Sequence, residues 1–283
     1  MTDKRADKPG GHGVGADTDR RSYIPAMEDI EFLHGEAARA VRLQLDYLKP
    51  QQQMKEHGVE HAVVIFGAAR ILEAEAAQAE LECVERTAAR NPDDAALQQQ
   101  LCIASRVRAN SHYYDVAREF ATRVGAAGLA VMTGGGPGIM EAANLGAFES
   151  GTNSIGLNIT LPHEQYPNPY LTPGLCVQFH YFAIRKLHFL LRARALVAFP
   201  GGYGTLDELF ETLTLIQTGK HPPIPVVLVG RAFWERAVDF DFLVDEGVIA
   251  ENDTLLFQYA ESAADIWRAL SDWYRDRGEA LFQ

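Results

Sequence analysis

Cysteine is scarce in this chain, and the three present, Cys83, Cys102 and Cys176, are odd in number and scattered. That pattern excludes a secreted disulfide framework and a C-x-x-C metal or redox site, leaving ordinary reduced thiols. No run of apolar residues is long enough to cross a bilayer. An excess of positive charge is also lacking: 26 Lys and Arg against 38 Asp and Glu give a formal net charge of −12. Such a surface repels nucleic-acid backbones and anionic lipid heads, so neither nucleic acid nor a membrane is expected as a partner. The opening stretch, MTDKRADKPGGHGVGADTDRRS, has no apolar core of the kind a signal peptide needs, and a cytoplasmic location is expected.

What is present is an ordinary globular composition, 47% hydrophobic and 23% charged over 283 residues, enough to bury one large core. Residues 1–26 read as a disordered tail and 27–60 as an N-terminal helical extension, with Phe32, Ala38, Val41, Leu45 and Leu48 near helical spacing and Pro50 as the stop signal. From 61 to 283 strand and helix signals alternate. HAVVIFG is a buried strand feeding a turn; a helical insertion follows at about 71–110, where Ile71 to Ala89 and Asp94 to Val124 read as two helices. Further strands are expected in GLAVMT, SIGLNITLP, LCVQF, ALVAFP and IPVVLVG, with a loop from Pro162 to Pro173. After Gly230 the chain reads as a short helix, a small strand at Thr254 to Phe257, and a last helix from the N-cap Ser262 to about Arg275. The expected fold class is α/β: a Rossmann-like, doubly wound parallel sheet with helices on both faces, plus the N-terminal helical extension.

Two glycine-rich turns carry the chemical signal. Thr133-Gly134-Gly135-Gly136-Pro137-Gly138 and Pro200-Gly201-Gly202-Tyr203-Gly204-Thr205 each lie directly after a buried strand and before a helix. Glycine lets a ligand approach bare backbone, and the following helix offers free N–H groups and the positive end of its dipole to an anion. In a parallel sheet both turns fall on the carboxyl edge, so two anion cradles converge on one crevice. Neither is a Walker loop or a dinucleotide fingerprint, and a ligand with a single phosphate is expected.

Around these turns stand candidate side chains. Glu208 lies one helical turn beyond Gly204, where it can reach sugar hydroxyls past the phosphate, whereas its neighbour Asp207 reads as a dipole partner of the helix. Arg185 sits early in its helix, against the dipole, and needs an anionic or polar partner; Arg192 and Arg194, at the far end, read as dipole partners. Asn158, Glu164 and Gln165 are candidates to line a base pocket. His163, His180 and His188 are dispersed, and no metal site is expected. A pyridoxal-phosphate site is not expected either, because neither Lys186 nor Lys220 has the setting of a Schiff-base lysine; no cofactor is called for.

TGGGPGIM at Thr133 to Met140, Arg185-Lys186, and PGGYGTLDE at Pro200 to Glu208 together resemble the LOG family, the cytokinin riboside 5′-monophosphate phosphoribohydrolases often mislabelled lysine decarboxylases. The resemblance covers roughly 63–230. It implies a Rossmann-like homodimer or higher homo-oligomer with Arg185 and Glu208 as the catalytic pair, and Gly201, Gly202, Gly204 and Thr205 on the 5′-phosphate. Gly134, Gly135, Gly136, Gly138, Met140 and Lys186 would complete the nucleotide pocket. The implied reaction is hydrolysis of the N-glycosidic bond of a nucleoside 5′-monophosphate, AMP or a cytokinin nucleotide, with an oxocarbenium-like transition state. The chain departs from the plant pattern in Phe182-Ala183-Ile184, where those members carry Met-His-Glu, and in Gly67-Ala68-Ala69-Arg70, where they have a serine-rich turn. The alternative expectation is a nucleotide-binding sensor or scaffold that keeps the pocket and does no chemistry.

Overall fold

The computed structural model describes residues 23–160 and 166–281. Most of the expected tail lies outside the described residues, as do His163, Glu164 and Gln165. In chain order the elements are α1 (Ile30–His34), α2 (Arg39–Glu56), β1 (Ala62–Phe66), α3 (Ala74–Arg90), α4 (Ala95–Asn110) and α5 (His112–Ala126). Then come β2 (Ala130–Thr133), α6 (Ile139–Glu149), β3 (Ser154–Ile159), β4 (Cys176–Phe179), α7 (Phe182–Leu191), β5 (Ala193–Ala198) and α8 (Tyr203–Gln217). The chain closes with β6 (Val226–Val229), α9 (Arg231–Ala237), α10 (Phe240–Asp245), β7 (Phe257–Ala260) and α11 (Ala263–Asp276).

β1 is AVVIF, buried at every position, because successive side chains enter two different apolar layers. Val63 and Ile65 join Phe120, Val124, Ile139, Ile266 and Leu270 from α5, α6 and α11. Val64 and Phe66 join Phe189, Leu209, Leu213 and Trp234 from α7, α8 and α9. The seven strands are all parallel and lie in the order β4-β3-β2-β1-β5-β6-β7. The chain therefore steps outward from β1 to β4, returns to place β5 beside β1, and steps outward on the other side. Between β1 and β5 is the switch point, where loops leave in opposite directions and open a crevice at the carboxyl edge.

Several elements differ from the sequence expectation. The helix expected over Asp94 to Val124 is broken at Ser111, whose buried hydroxyl donates to Arg108 O at 2.9 Å and competes with the helical ladder. The strand expected at Thr254 to Phe257 starts only at Phe257; Glu251–Leu256 form a 3-10 turn, held by Asp253 Oδ2 accepting from Ala250 N at 2.8 Å. After Gly230 there are two short helices, the second capped by Asp239. Pro50 does not end its helix: it is a buried residue within α2, whose last turn is anchored by the fully buried Met54. Tertiary burial there outweighs the hydrogen bond a proline removes.

The chain divides into two compact units, one ending at Leu45 and the other beginning at Asp46. In the first, α1 and a 3-10 turn (Glu36–Ala38) lead into the start of α2, and Arg42 Nη1 holds the bend by donating to Leu33 O at 2.7 Å and Gly35 O at 2.5 Å.

Candidate active site

At the switch point the loops after β1, β2 and β5 are joined by main-chain hydrogen bonds. Phe199 N donates to Phe66 O at 2.8 Å, Ala68 N to Pro200 O at 2.9 Å, and Ile139 N to Ala68 O at 3.2 Å. Ala68 thus bridges the segments of the two glycine turns, which lie together at the carboxyl edge of the sheet. Gly138 has φ +71°, and a Cβ there would run into the main chain of Ala68 and Ala69, so this position requires glycine.

The first turn is braced from beneath by a buried polar network. Thr133 Oγ1 donates to Asn144 Oδ1 at 2.6 Å and accepts from Gly135 N at 2.9 Å. Asn168 Nδ2 donates to Asn144 Oδ1 at 2.9 Å and Gly136 O at 3.0 Å, while Asn168 N donates to Gly135 O at 2.9 Å. Asn144 Nδ2 donates to Ser154 Oγ at 2.9 Å. Gly135 N–H is therefore engaged within the protein, and Met140 packs back along the turn close to Gly134 and Gly136.

The second turn is more open. Cβ atoms added at Gly202 or Gly204 would meet only open space, whereas one at Gly201 would collide with the Thr205 side chain. Thr205 is buried and its N–H donates to Gly202 O at 3.0 Å. Among the described residues, the N–H groups of Gly202, Tyr203 and Gly204 have no acceptor. Neither α6 nor α8 has a side-chain N-cap, although Asp29, Asp94, Asp239 and Ser262 cap α1, α4, α10 and α11. At α6 the first N–H, that of Ile139, is taken by Ala68 O, so the N-terminus of α8 is the more open of the two and presents positive partial charge to an anion.

Glu208, one turn into α8, is only 6% exposed. Among the described residues its carboxylate accepts no hydrogen bond and joins no ion pair. Burial pushes its pKa up to about 7, and the nearby charges of Lys186 and Arg185 only partly counter this. Arg185, on the first turn of α7, donates from Nε to Leu157 O at 2.7 Å and lies over the Phe189 ring at 5.2 Å. A Cβ at Gly134 would sit 2.8 Å from Arg185 Nη2, so the guanidinium reaches the first glycine turn. Burial lowers the Arg185 pKa, and Glu208 acts the other way. The structure brings Arg185 into the electrostatic field of Glu208 beside both turns.

Lys186 lies on the α8 side of Glu208, whose carboxyl feels its charge. Its Nζ lies 2.8 Å from Asp207 Oδ2 and 3.0 Å from Glu211 Oε2, which ties α7 to α8. Burial pulls its pKa down, but hydrogen bonds to these carboxylates outweigh that and hold it above the ordinary lysine value. Asn158 is buried on β3, with Oδ1 accepting from Ile159 N at 2.7 Å. His188 is fully buried between the rings of Tyr47 and Phe179, and burial lowers its pKa to about 4. Among the described residues no group of three His, Cys, Asp or Glu side chains could hold a metal ion, and no helix is long and apolar enough to cross a membrane.

Sequence reasoning missed Asp46, Asn144 and Asn168. Asp46, on α2, accepts from both His180 N and Tyr181 N at 2.9 Å, supplying the N-terminal cap that the sequence of α7 lacks. The only sequence signal is negative: Tyr181 is no capping residue, so a cap had to come from another part of the chain.

A doubly wound parallel sheet, with its glycine turns, Arg185 and Glu208 gathered at the switch point, defines a Rossmann-like α/β protein. Comparison with known proteins takes the assignment further. Residues 140–270 match the family model described as "Possible lysine decarboxylase". A cytokinin riboside 5′-monophosphate phosphoribohydrolase of Oryza sativa subsp. japonica is 30% identical over 165 residues, covering 57% of this chain and 67% of that protein. One from Arabidopsis thaliana is 28% identical over 165 residues, covering 57% and 76%. Among solved structures, the molybdenum cofactor carrier protein of Chlamydomonas reinhardtii is similar at 24% identity and a TM-score of 0.39, over 57% of this chain and 87% of that one. The chain belongs to the LOG family, whose members matched here bear the names of phosphoribohydrolases, hydrolases of an N-glycosidic bond.

Proposed function

We propose that this protein hydrolyses the N-glycosidic bond of a nucleoside 5′-monophosphate, AMP or a cytokinin riboside monophosphate, releasing free base and ribose 5-phosphate. The observation that carries the reading is Glu208: a buried carboxyl raised to about 7, one turn behind the uncapped N-terminus of α8 and within the field of Arg185. The 5′-phosphate lies against the N–H groups of Gly202, Tyr203 and Gly204 and the helix dipole. That seat places the ribose toward Glu208. Ionised, Glu208 stabilises positive charge developing at C1′ and takes a proton from the attacking water; the C1′–N bond breaks as the C1′–O bond forms, and that proton passes from Glu208 to the departing base nitrogen, so that the base leaves neutral and Glu208 is ionised again. Arg185, reaching the first glycine turn, holds the nucleotide from the other side. The protein acts in the cytoplasm as a homodimer or higher homo-oligomer and needs no cofactor.

The test is base release from a panel of 5′-monophosphates and their nucleosides, read by chromatography of free base and ribose 5-phosphate. Cleavage of AMP or a cytokinin monophosphate, with the matching nucleoside untouched, supports the proposal. Nucleotide binding without base release from any substrate overturns it in favour of a sensor or scaffold.

A further inference from the structure

The glycine turns leave the carboxyl edge of the sheet. At the opposite, amino edge, the start of β5 and the last turns of α7, α8 and α11 line a cavity of about 920 Å³. Small-molecule sites have volumes of roughly 300–1,000 Å³. Ala193 and Arg194, at the start of β5, belong to this cavity, whereas the second glycine turn follows the end of the same strand at Ala198. Six residues of strand span roughly 20 Å, so a nucleoside monophosphate seated in the crevice does not reach it.

The lining sets positive charge on apolar and aromatic surface. Leu187, Leu191 and Leu215 form an apolar wall, and Trp273 and Tyr274 supply rings. The guanidinium carbon of Arg194 lies 4.7 Å from the centre of the Tyr274 ring, and that of Arg277 lies 3.7 Å from the Trp273 ring. The protein fixes Arg194 without neutralising it. Tyr274 Oη donates to Arg194 O at 2.6 Å and Arg194 Nη2 donates to Ala280 O at 2.8 Å, but Arg194 Nε is buried with no hydrogen-bond partner among the described residues. The Lys220 ammonium likewise makes no hydrogen bond or ion pair among them. With Arg192, four cationic side chains face two carboxylates, and one of these, Glu211, is already held by Lys186. This is a local excess of positive charge on a chain whose net charge is −12. Such a lining suits an anion joined to a flat apolar body, which pairs with the cations while its body covers the rings and leucines.

We propose that this cavity is a second ligand site, separate from the nucleotide crevice, for a small molecule bearing a carboxylate, phosphate or sulfonate on a flat apolar body.

The test is fluorescence titration of the full chain with 8-anilinonaphthalene-1-sulfonate, which brightens on leaving water, followed by displacement with 1-naphthoate or its uncharged counterpart 1-naphthamide. Saturable binding of one probe per chain is expected, with naphthoate displacing it about tenfold or more better than naphthamide and AMP not displacing it. Lys220→Glu with Arg277→Glu changes only exposed side chains of the cavity and should weaken probe binding about tenfold or more. Arg86→Glu with Arg90→Glu, on exposed positions of α3, makes the same change in net charge and should bind the probe as the wild type does. Circular dichroism establishes that both variants are folded. Absence of saturable binding, equal displacement by the amide, displacement by AMP, or equal affinity of the two double variants overturns the proposal.

Discussion

Replacing Glu208 by Gln should make the protein more stable above neutral pH while disabling it. The folded carboxyl is raised to about 7, against 4.5 for the unperturbed group, because folding takes it out of most of its water. Folding therefore binds a proton between these two values, and stability falls as pH rises through that window. Above pH 7 the whole cost of ionising a buried carboxylate is present. A shift of this size corresponds to about 3 kcal/mol at pH 8 and under about 1 kcal/mol at pH 5. Glutamine has nearly the same shape and no charge to bury. The variant should thus gain up to about 3 kcal/mol at pH 8, on the order of 5–10 °C in melting temperature for a chain of this size, and much less at pH 5. Thermal melts of both proteins across pH 5–8, in the absence of nucleotide, measure the difference directly. Equal stabilities at pH 8, or a gap that does not widen with pH, would refute the argument that burial raises this carboxyl's pKa.

Other consequences follow from the same geometry. With Glu208 acting in its ionised form, kcat/KM should rise with pH through an inflection near 7; a rate profile flat from pH 5.5 to 8.5 contradicts that role. Asp46→Ala removes the cap of α7 and should cost about 1–2 kcal/mol by urea melts, with a fall in kcat larger than the change in KM. Asp46→Asn, which keeps an acceptor for His180 N and Tyr181 N, should recover most of both. Gly138→Ala should destabilise by more than about 2 kcal/mol, because φ +71° and the main chain of Ala68 and Ala69 leave no room for a methyl group; a melting temperature within a degree of wild type would show that the loop relaxes freely.

Most of the sheet was legible in the sequence because β1, β2, β5 and β6 are short β-branched or apolar runs closed by glycine or proline; β7, closed by neither, was expected too early in the chain. Both glycine turns, Arg185 and Glu208 were legible for a related reason, since their offsets from those strands fix the edge of the sheet they occupy. What stayed hidden depends on contacts distant in sequence. Asp46 acts on backbone 134 and 135 residues away, and Asn168 reaches across 24 and 32 residues to Asn144 and Gly136. The two carboxylate partners of Lys186 were hidden in the same way: one residue along a helix turns the side chain by about 100° from that of Arg185, here onto Asp207 and Glu211 of α8. The break at Ser111 and the turn before Phe257 came from side chains competing with the backbone over three residues, too local for periodicity to register.

One peptide segment at the switch point has a meaning for mutational studies. Ala68 takes hold of one glycine turn with its amide and of the other with its carbonyl. Everything it contributes there is main chain, and its methyl group is incidental to the connection. A scan that deletes side chains would pass over position 68 in silence, although the residue is hydrogen-bonded to the segments of both glycine turns. Proline, which deletes the amide itself, is the replacement that would expose it.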